Sequence, residues 1–358
     1  MMTDVILKHE ERAVFTLRSL YRRYGYAPYK MSKFEEYDLY VRNKDFLVSD
    51  QIITFSGDRG KLMALKPDVT LSIVKNAPEE PGVVQKVYYN ENVYRDYREI
   101  MQAGLECVGD LGDYEIAEVV LLAARSLQLL GSSYVLDISH MGLLSAVLES
   151  CGLNDRQRPQ AMEALRRKNV QALQDLCGAD RKAWEKLEMI ASCHGGREAL
   201  PRVAAVLTTE AERQAFAQLE DLWQVLEESG CAENVCLDFS VGNNMGYYSG
   251  VVFRGYLPGI ASSILSGGQY DKLPRKMGRK AKAIGFALYL DLLQELYREE
   301  NPFDVDTLIL HDGTVAPLVL TKAAEEAAQK GTVLVSRQQP KDRRWKWLIR
   351  FEKGVRLL

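Results

Sequence analysis

The chain lacks a long hydrophobic run. Its longest apolar stretches, such as residues 116–124, are broken by charge (here Glu118) and are far too short to span a bilayer. It lacks paired cysteines as well. Cys107, Cys151, Cys177, Cys193, Cys231 and Cys236 form no Cys-x-x-Cys pair, and several sit inside apolar patterns. That spacing argues against a disulfide framework or a zinc site and reads as reduced, buried thiols. There is no excess of either charge. The 46 basic residues face 49 acidic ones, so the net charge of −3 gives no electrostatic reason to expect a nucleic-acid partner. The opening residues meet Lys8, Glu10, Glu11 and Arg12 too early for a signal peptide. The expectation is a cytoplasmic protein with no membrane partner and no metal.

What is present is 358 residues, 47% hydrophobic and 27% charged, enough for two or three domains. The most informative stretch runs from Tyr88 to Gly109. Its second half alternates. Ile100, Gln102, Gly104 and Glu106 fall on one side of an extended strand, and Met101, Ala103, Leu105 and Cys107 fall on the other. One side is core. The other offers an amide and a carboxylate around a glycine that leaves space above it. Val93-Tyr94-Arg95 reads as the partner strand across a short polar turn. A hairpin displaying Arg95, Gln102 and Glu106 can hold a small zwitterion, the guanidinium meeting a carboxylate and the carboxylate an ammonium. The same alternation also describes a sheet with one solvated face.

Around this hairpin the pattern predicts a helix from Val5 to Tyr24, a strand from Tyr26 to Met31, a short helix from Phe34 to Tyr40, and two strands joined at residues 57–60. Pro67 stops the second of these, and Asp68 or Thr70 can cap a helix from Leu71 to Asn76 or line the same pocket as the hairpin. Asp113 to Leu130 is helical, Tyr134 to Ile138 a strand, and Met141 to Cys151 a helix opened by His140, read as packing or capping. Residues 153–230 read as a helical insert, in which Cys193-His194-Gly195-Gly196 is a loop. Strands return at Val235–Phe239, Tyr247–Tyr256 and Ala261–Ser266, with Gly267-Gly268-Gln269 following the last. Ala283–Tyr297 is a strand passing at Gly285 into a helix. Residues 302–358 form a small unit of strand, helix and strands with a basic, Trp-containing end, short enough to be marginal alone. The expected division is 1–300 and 302–358.

These segments, in this order, resemble the class II aminoacyl-tRNA synthetase core, and specifically the histidyl-tRNA synthetase family, over about residues 5–300. Lys66-Pro67-Asp68-Val69-Thr70 resembles that family's Arg-Pro-Glu-Gly-Thr segment. Tyr94-Arg95 and Gln102-Ala103-Gly104-Leu105-Glu106 resemble the two strands of motif 2. Tyr247-Tyr248-Ser249-Gly250 resembles the histidine-specific Tyr-Tyr-Thr-Gly segment, Gly267-Gly268-Gln269-Tyr270-Asp271 the Gly-Gly-Arg-Tyr-Asp element, and Ile284-Gly285-Phe286-Ala287-Leu288 motif 3. The departures are informative. Leu292 stands where motif 3 carries its phosphate-holding arginine, and Asn243 where the catalytic arginine precedes the Tyr-Tyr pair. Both groups would neutralise charge at the phosphate. The motif 2 loop is also short, and the C-terminal unit is too small for an anticodon-binding domain.

An amino-acid pocket without activation machinery resembles the regulatory subunits of short-form ATP phosphoribosyltransferase, the first enzyme of histidine biosynthesis. That resemblance implies an α+β fold with a six-stranded antiparallel sheet flanked by helices. It implies a homodimer, through the segment from Tyr26 to Val41, inside a hetero-oligomer with the short-form catalytic subunit. Histidine is the implied effector, no cofactor is implied, and no catalytic residue is assigned. Histidine is placed by Asp68, Thr70, Arg95, Gln102, Glu106, Tyr247 and Tyr248. Arg95 meets the carboxylate, Asp68 and Glu106 the ammonium, and Gln102 and a tyrosine hydroxyl the imidazole. The competing readings are a working histidyl-tRNA synthetase-like enzyme and a stand-alone histidine-binding adaptor.

Overall fold

A computed structural model describes residues 9–47, 49, 51–78, 80–241, 246–293, 302–353 and 355–357. The chain divides into Met1–Leu296 and Tyr297–Leu358. In the first unit the strands are β1 (Ala27–Pro28), β2 (Phe34–Glu36), β3 (Thr54–Ser56), β4 (Leu62–Leu65), β5 (Val84–Arg95), β6 (Arg98–Gly109), β7 (Val135–His140), β8 (His194–Gly195), β9 (Val235–Asp238), β10 (Val251–Tyr256), β11 (Leu265–Gln269) and β12 (Lys282–Tyr289). Nine of them make one sheet in the order β1-β5-β6-β12-β11-β10-β7-β9-β8. The middle six, β5 to β7 in that order, are antiparallel throughout. The edge strand β1 is parallel to β5 and β9 is parallel to β7. The expected six-stranded antiparallel sheet is therefore the centre of a larger mixed one. β2, β4 and β3 form a separate three-stranded sheet.

The alternation in β6 sorts the two faces as the residues require. Ala103, Leu105 and Cys107 enter the main core with Phe253, Phe286 and Ile138. Over that face lie α1 (His9–Arg23) and α4 (Asp113–Leu130). α4 buries Ile116, Val119, Val120, Ala123 and Leu127 at helical spacing. Glu115 turns back to accept the Gly112 N–H at 2.9 Å, which satisfies an end donor and sets a carboxylate at the positive end of the helix. The opposite face carries α2 (Tyr37–Arg42), α3 (Thr70–Asn76) and a second core cluster with Tyr40, Leu71, Ile73, Val93 and Tyr270.

The insert packs α6 (Gln157–Arg166), α7 (Val170–Cys177), α8 (Arg181–Ser192), α9 (Ala199–Ala204) and α10 (Glu210–Glu228) beside α5 (Met141–Ser150). The segment read as a loop is β8, whose His194 and Gly195 pair with β9. His140 caps α5 as expected, its Nδ1 accepting the Leu143 N–H at 3.0 Å.

Several elements differ from the sequence reading. Phe34–Glu36 is a strand because β4 offers it a backbone partner, and the helix begins only at Tyr37. Tyr247 and Tyr248 precede β10 rather than opening it, and Gly267-Gly268-Gln269 lie inside β11. Gly285 is in the middle of β12, and residues 290–292 make a short 3-10 turn. The helix expected beyond falls largely outside the described residues, as does Asn243.

The first unit also holds α11 (Lys272–Lys276), and the second has β13 (Val305–His311), α12 (Pro317–Ala328), β14 (Val333–Ser336), β15 (Trp345–Glu352) and β16 (Val355–Leu357). β13 is parallel to both neighbours in the order β14-β13-β15-β16, and α12 covers Ile309 and Phe351. The final strand β16 was not anticipated.

Candidate functional site

On the sheet face opposite α4 lies a cavity of about 530 Å³. All seven residues expected to hold the ligand, Asp68, Thr70, Arg95, Gln102, Glu106, Tyr247 and Tyr248, line it.

Glu106 is 2% exposed. One carboxyl oxygen accepts from Thr70 Oγ1 at 2.7 Å and the other from the Tyr270 hydroxyl. Space for it comes from the register, which sets Gly285 of β12 directly opposite Glu106 of β6. Any Cβ at 285 would collide with the Glu106 carboxyl. Burial pushes the Glu106 pKa up to about 8, the two hydroxyl donors oppose that rise, and the nearby Asp68 adds to it.

Asp68 stands at the start of α3, where it accepts the Leu71 N–H at 2.8 Å. The capping and pocket-lining roles are therefore both realised. Burial raises its pKa against the pull of Leu71 N–H and of Arg95. Two buried carboxyls on one cavity, both of raised pKa and with Asp68 raising that of Glu106, make a receptor for a cation.

Arg95 and Gln102 sit at 7% and 4% exposure. Arg95 Nε has no hydrogen-bond partner, and neither side chain bonds to another described residue. Buried donors and acceptors without partners are costly and rare. Here they border a cavity. Arg95 also ends β5 beside a two-residue turn, Asp96-Tyr97, with both residues at positive φ. The hairpin thus closes without a loop.

The remaining walls are aromatic. Tyr247 packs against Tyr248, Phe46 and Tyr270 with ring centroids 4.7, 5.5 and 5.6 Å apart. The sequence reading missed Phe46, Tyr89, Arg254, Tyr270 and Tyr289 as lining residues. Tyr89 had a signal. A two-residue turn at 96–97 pairs it with Gly104, and a Cβ at 104 would strike the Tyr89 hydroxyl. Leu292 lies partly buried against the main apolar core, where it offers no charge to a phosphate.

Residues 5–293 match the family model for histidyl-tRNA synthetase. The ATP phosphoribosyltransferase regulatory subunit of Syntrophotalea carbinolica is 30% identical over 319 residues, covering 83% of this chain and 74% of that protein. The chain belongs to the histidyl-tRNA synthetase family, with the ATP phosphoribosyltransferase regulatory subunits. Solved structures agree in fold. One titled an ATP phosphoribosyltransferase regulatory subunit/histidyl-tRNA synthetase, from Bacillus halodurans, has a TM-score of 0.77 at 24% identity, covering 96% of this chain and 94% of that one. A chain of the ATP phosphoribosyl transferase (HisG:HisZ) complex from Thermotoga maritima has a TM-score of 0.62 at 17% identity, covering 78% of this chain and 97% of that one. No helix among the described residues is long and apolar enough to cross a membrane.

Proposed function

We propose that this chain is the non-catalytic regulatory subunit of a short-form ATP phosphoribosyltransferase and that its cavity binds free histidine as the feedback signal. The observation that carries the ligand reading is the pair of buried side chains Arg95 and Gln102, which bond to no other described residue, in one cavity with two carboxyls of raised pKa. A zwitterion satisfies that set. Its carboxylate takes the Arg95 fork, and its ammonium lies between Asp68 and Glu106. The imidazole then lies among the tyrosines, with Gln102 and a tyrosine hydroxyl as hydrogen-bond partners. The relatives' name supports the regulatory role. The absence of charge at Leu292 supports a site that binds an amino acid without activating it, and speaks against a working synthetase.

The deciding experiment mixes this chain with the short-form catalytic subunit of the same source and follows phosphoribosyl-ATP formation with and without histidine. Activity that requires both chains and falls with histidine supports the whole reading. Activity that requires both chains and ignores histidine removes the sensing role. No stimulation leaves a histidine-binding adaptor.

A further inference from the structure

The zwitterion proposed above occupies one guanidinium, and the cavity has two. Arg254 lines it from β10, and Ser263, Ser266 and Tyr289 line the same cavity. Ser266 of β11 and Asp137 of β7 flank Arg254 in register. Asp137 is the carboxylate facing it from the neighbouring strand, yet Arg254 makes no ion pair among the described residues. Burial and the like charge of Asp238 raise the Asp137 pKa to about 6, against the pull of His194, Lys168 and Arg254 itself. The Arg254 side chain also bonds Tyr256, so Arg254 is held at the cavity wall without a close carboxylate.

Arg95 and Arg254 are also far apart in the sheet. β5 and β10 are separated by four strand spacings, roughly 19 Å. Arg254, Ser266, Ala287, Gly104 and Tyr89 form one row across the sheet. Arg95 lies farther along β5 than that row. The two arginines reach the cavity from strands that are not neighbours, so it offers a second guanidinium to a second anionic group. A cavity of about 530 Å³ falls in the range of metabolite sites and has room for more than a free amino acid.

We propose that Arg254, with the hydroxyls of Ser263 and Ser266, binds a phosphate group, so that the cavity takes a phosphate-bearing ligand beside the amino acid. A guanidinium presents paired N–H donors that match two phosphate oxygens, and serine hydroxyls complete such a contact. The free ion and a sugar ester present the same phosphate oxygens, so the recognising chemistry is the same for both. Only the pairing with an amino acid rests on the histidine reading.

The test is calorimetric titration of the full chain with inorganic phosphate and with ribose 5-phosphate, each with and without saturating histidine. The wild type is compared with Arg254→Gln and Arg254→Ala, with circular dichroism to verify folding. The expected result is binding to the wild type that weakens at least about tenfold in both variants, the size of a lost charge-assisted contact, while the histidine affinity is retained. Binding of the ester alone, or of both probes, supports the proposal and tells the source. Binding that is unchanged in the variants, or no binding of either probe to the wild type, overturns it. Arg254-dependent phosphate binding in a chain that ignores histidine keeps the phosphate site and removes the histidine reading.

Discussion

Glu106 is a carboxyl whose surroundings favour its neutral form until a cation arrives. Its pKa is raised by burial to about 8 in the folded chain, against the ordinary 4.5. The penalty for ionising it is therefore absent below the ordinary value and fully present above pH 8. Glu106→Gln should stabilise the unliganded chain, by on the order of 1–3 kcal/mol at pH 8.5 and by little at pH 5. Urea unfolding at the two pH values measures this, and an equal effect at both would refute it. An ammonium beside Glu106 lowers that pKa again, so histidine binding at pH 7 should release a proton. Binding heats should then vary with the ionisation enthalpy of the buffer, and affinity should rise between about pH 6 and 8. Buffer-independent heats would remove the ammonium from Glu106. Arg95→Met and Gln102→Ala should each weaken histidine about tenfold or more while leaving the melting temperature nearly unchanged, because neither side chain bonds within the described protein.

At the scale of elements, the site depends on what two strands set opposite each other. Gly285→Ala should cost stability and histidine binding together, and less stability in a Glu106→Ala background, where the clash with the Leu105 carbonyl, 2.6 Å from the added Cβ, remains. A double-mutant cycle showing no coupling would contradict the register argument. The turn at Asp96-Tyr97 carries a strain of another kind. Tyr97 holds φ 61° at the tip of the hairpin, a conformation that suits glycine. Tyr97→Gly should raise stability by about 0.5–1 kcal/mol by urea titration, and a loss would mean that the exposed ring has partners. These elements also show where the sequence was legible. The period-two alternation from Ile100 to Cys107 placed Gln102 and Glu106 in the cavity and Leu105 in the core, because one-residue shifts exchange the faces. Gly285 and Gly267-Gly268 misled, since glycine reads as an interruption. In β11 and β12 it is the accommodation that bulky neighbours such as Glu106 and Phe286 require. Phe34–Glu36 was illegible because a three-residue strand has no period to read and exists through its partner. Arg254 and Tyr289 join the site through long-range pairing that local pattern does not encode.

On the scale of the whole chain, the described residues that line the cavity run from Phe46 to Tyr289. A chain ending at residue 301 should therefore keep its histidine affinity within about threefold; loss of binding by calorimetry in a folded truncation would show that the small C-terminal unit completes the site. The small unit itself, with Ile309, Val315, Ala323, Ala327 and Phe351 as its buried cluster, should not fold cooperatively when produced alone. The helical insert is a different matter. Its β8 pairs with β9, and Asp238 of β9 accepts Lys168 at 2.8 Å and lies 3.3 Å from His194, both from the insert. The insert thus supplies the last strand of the sheet and shields an edge that would otherwise invite pairing with other chains. It is not removable cargo. Over evolutionary time length changes should collect in the connections of α6 and α7, while two residues must always remain where His194 and Gly195 stand. A lineage that discards the insert must find another cover for β9, or become a protein that assembles along that edge.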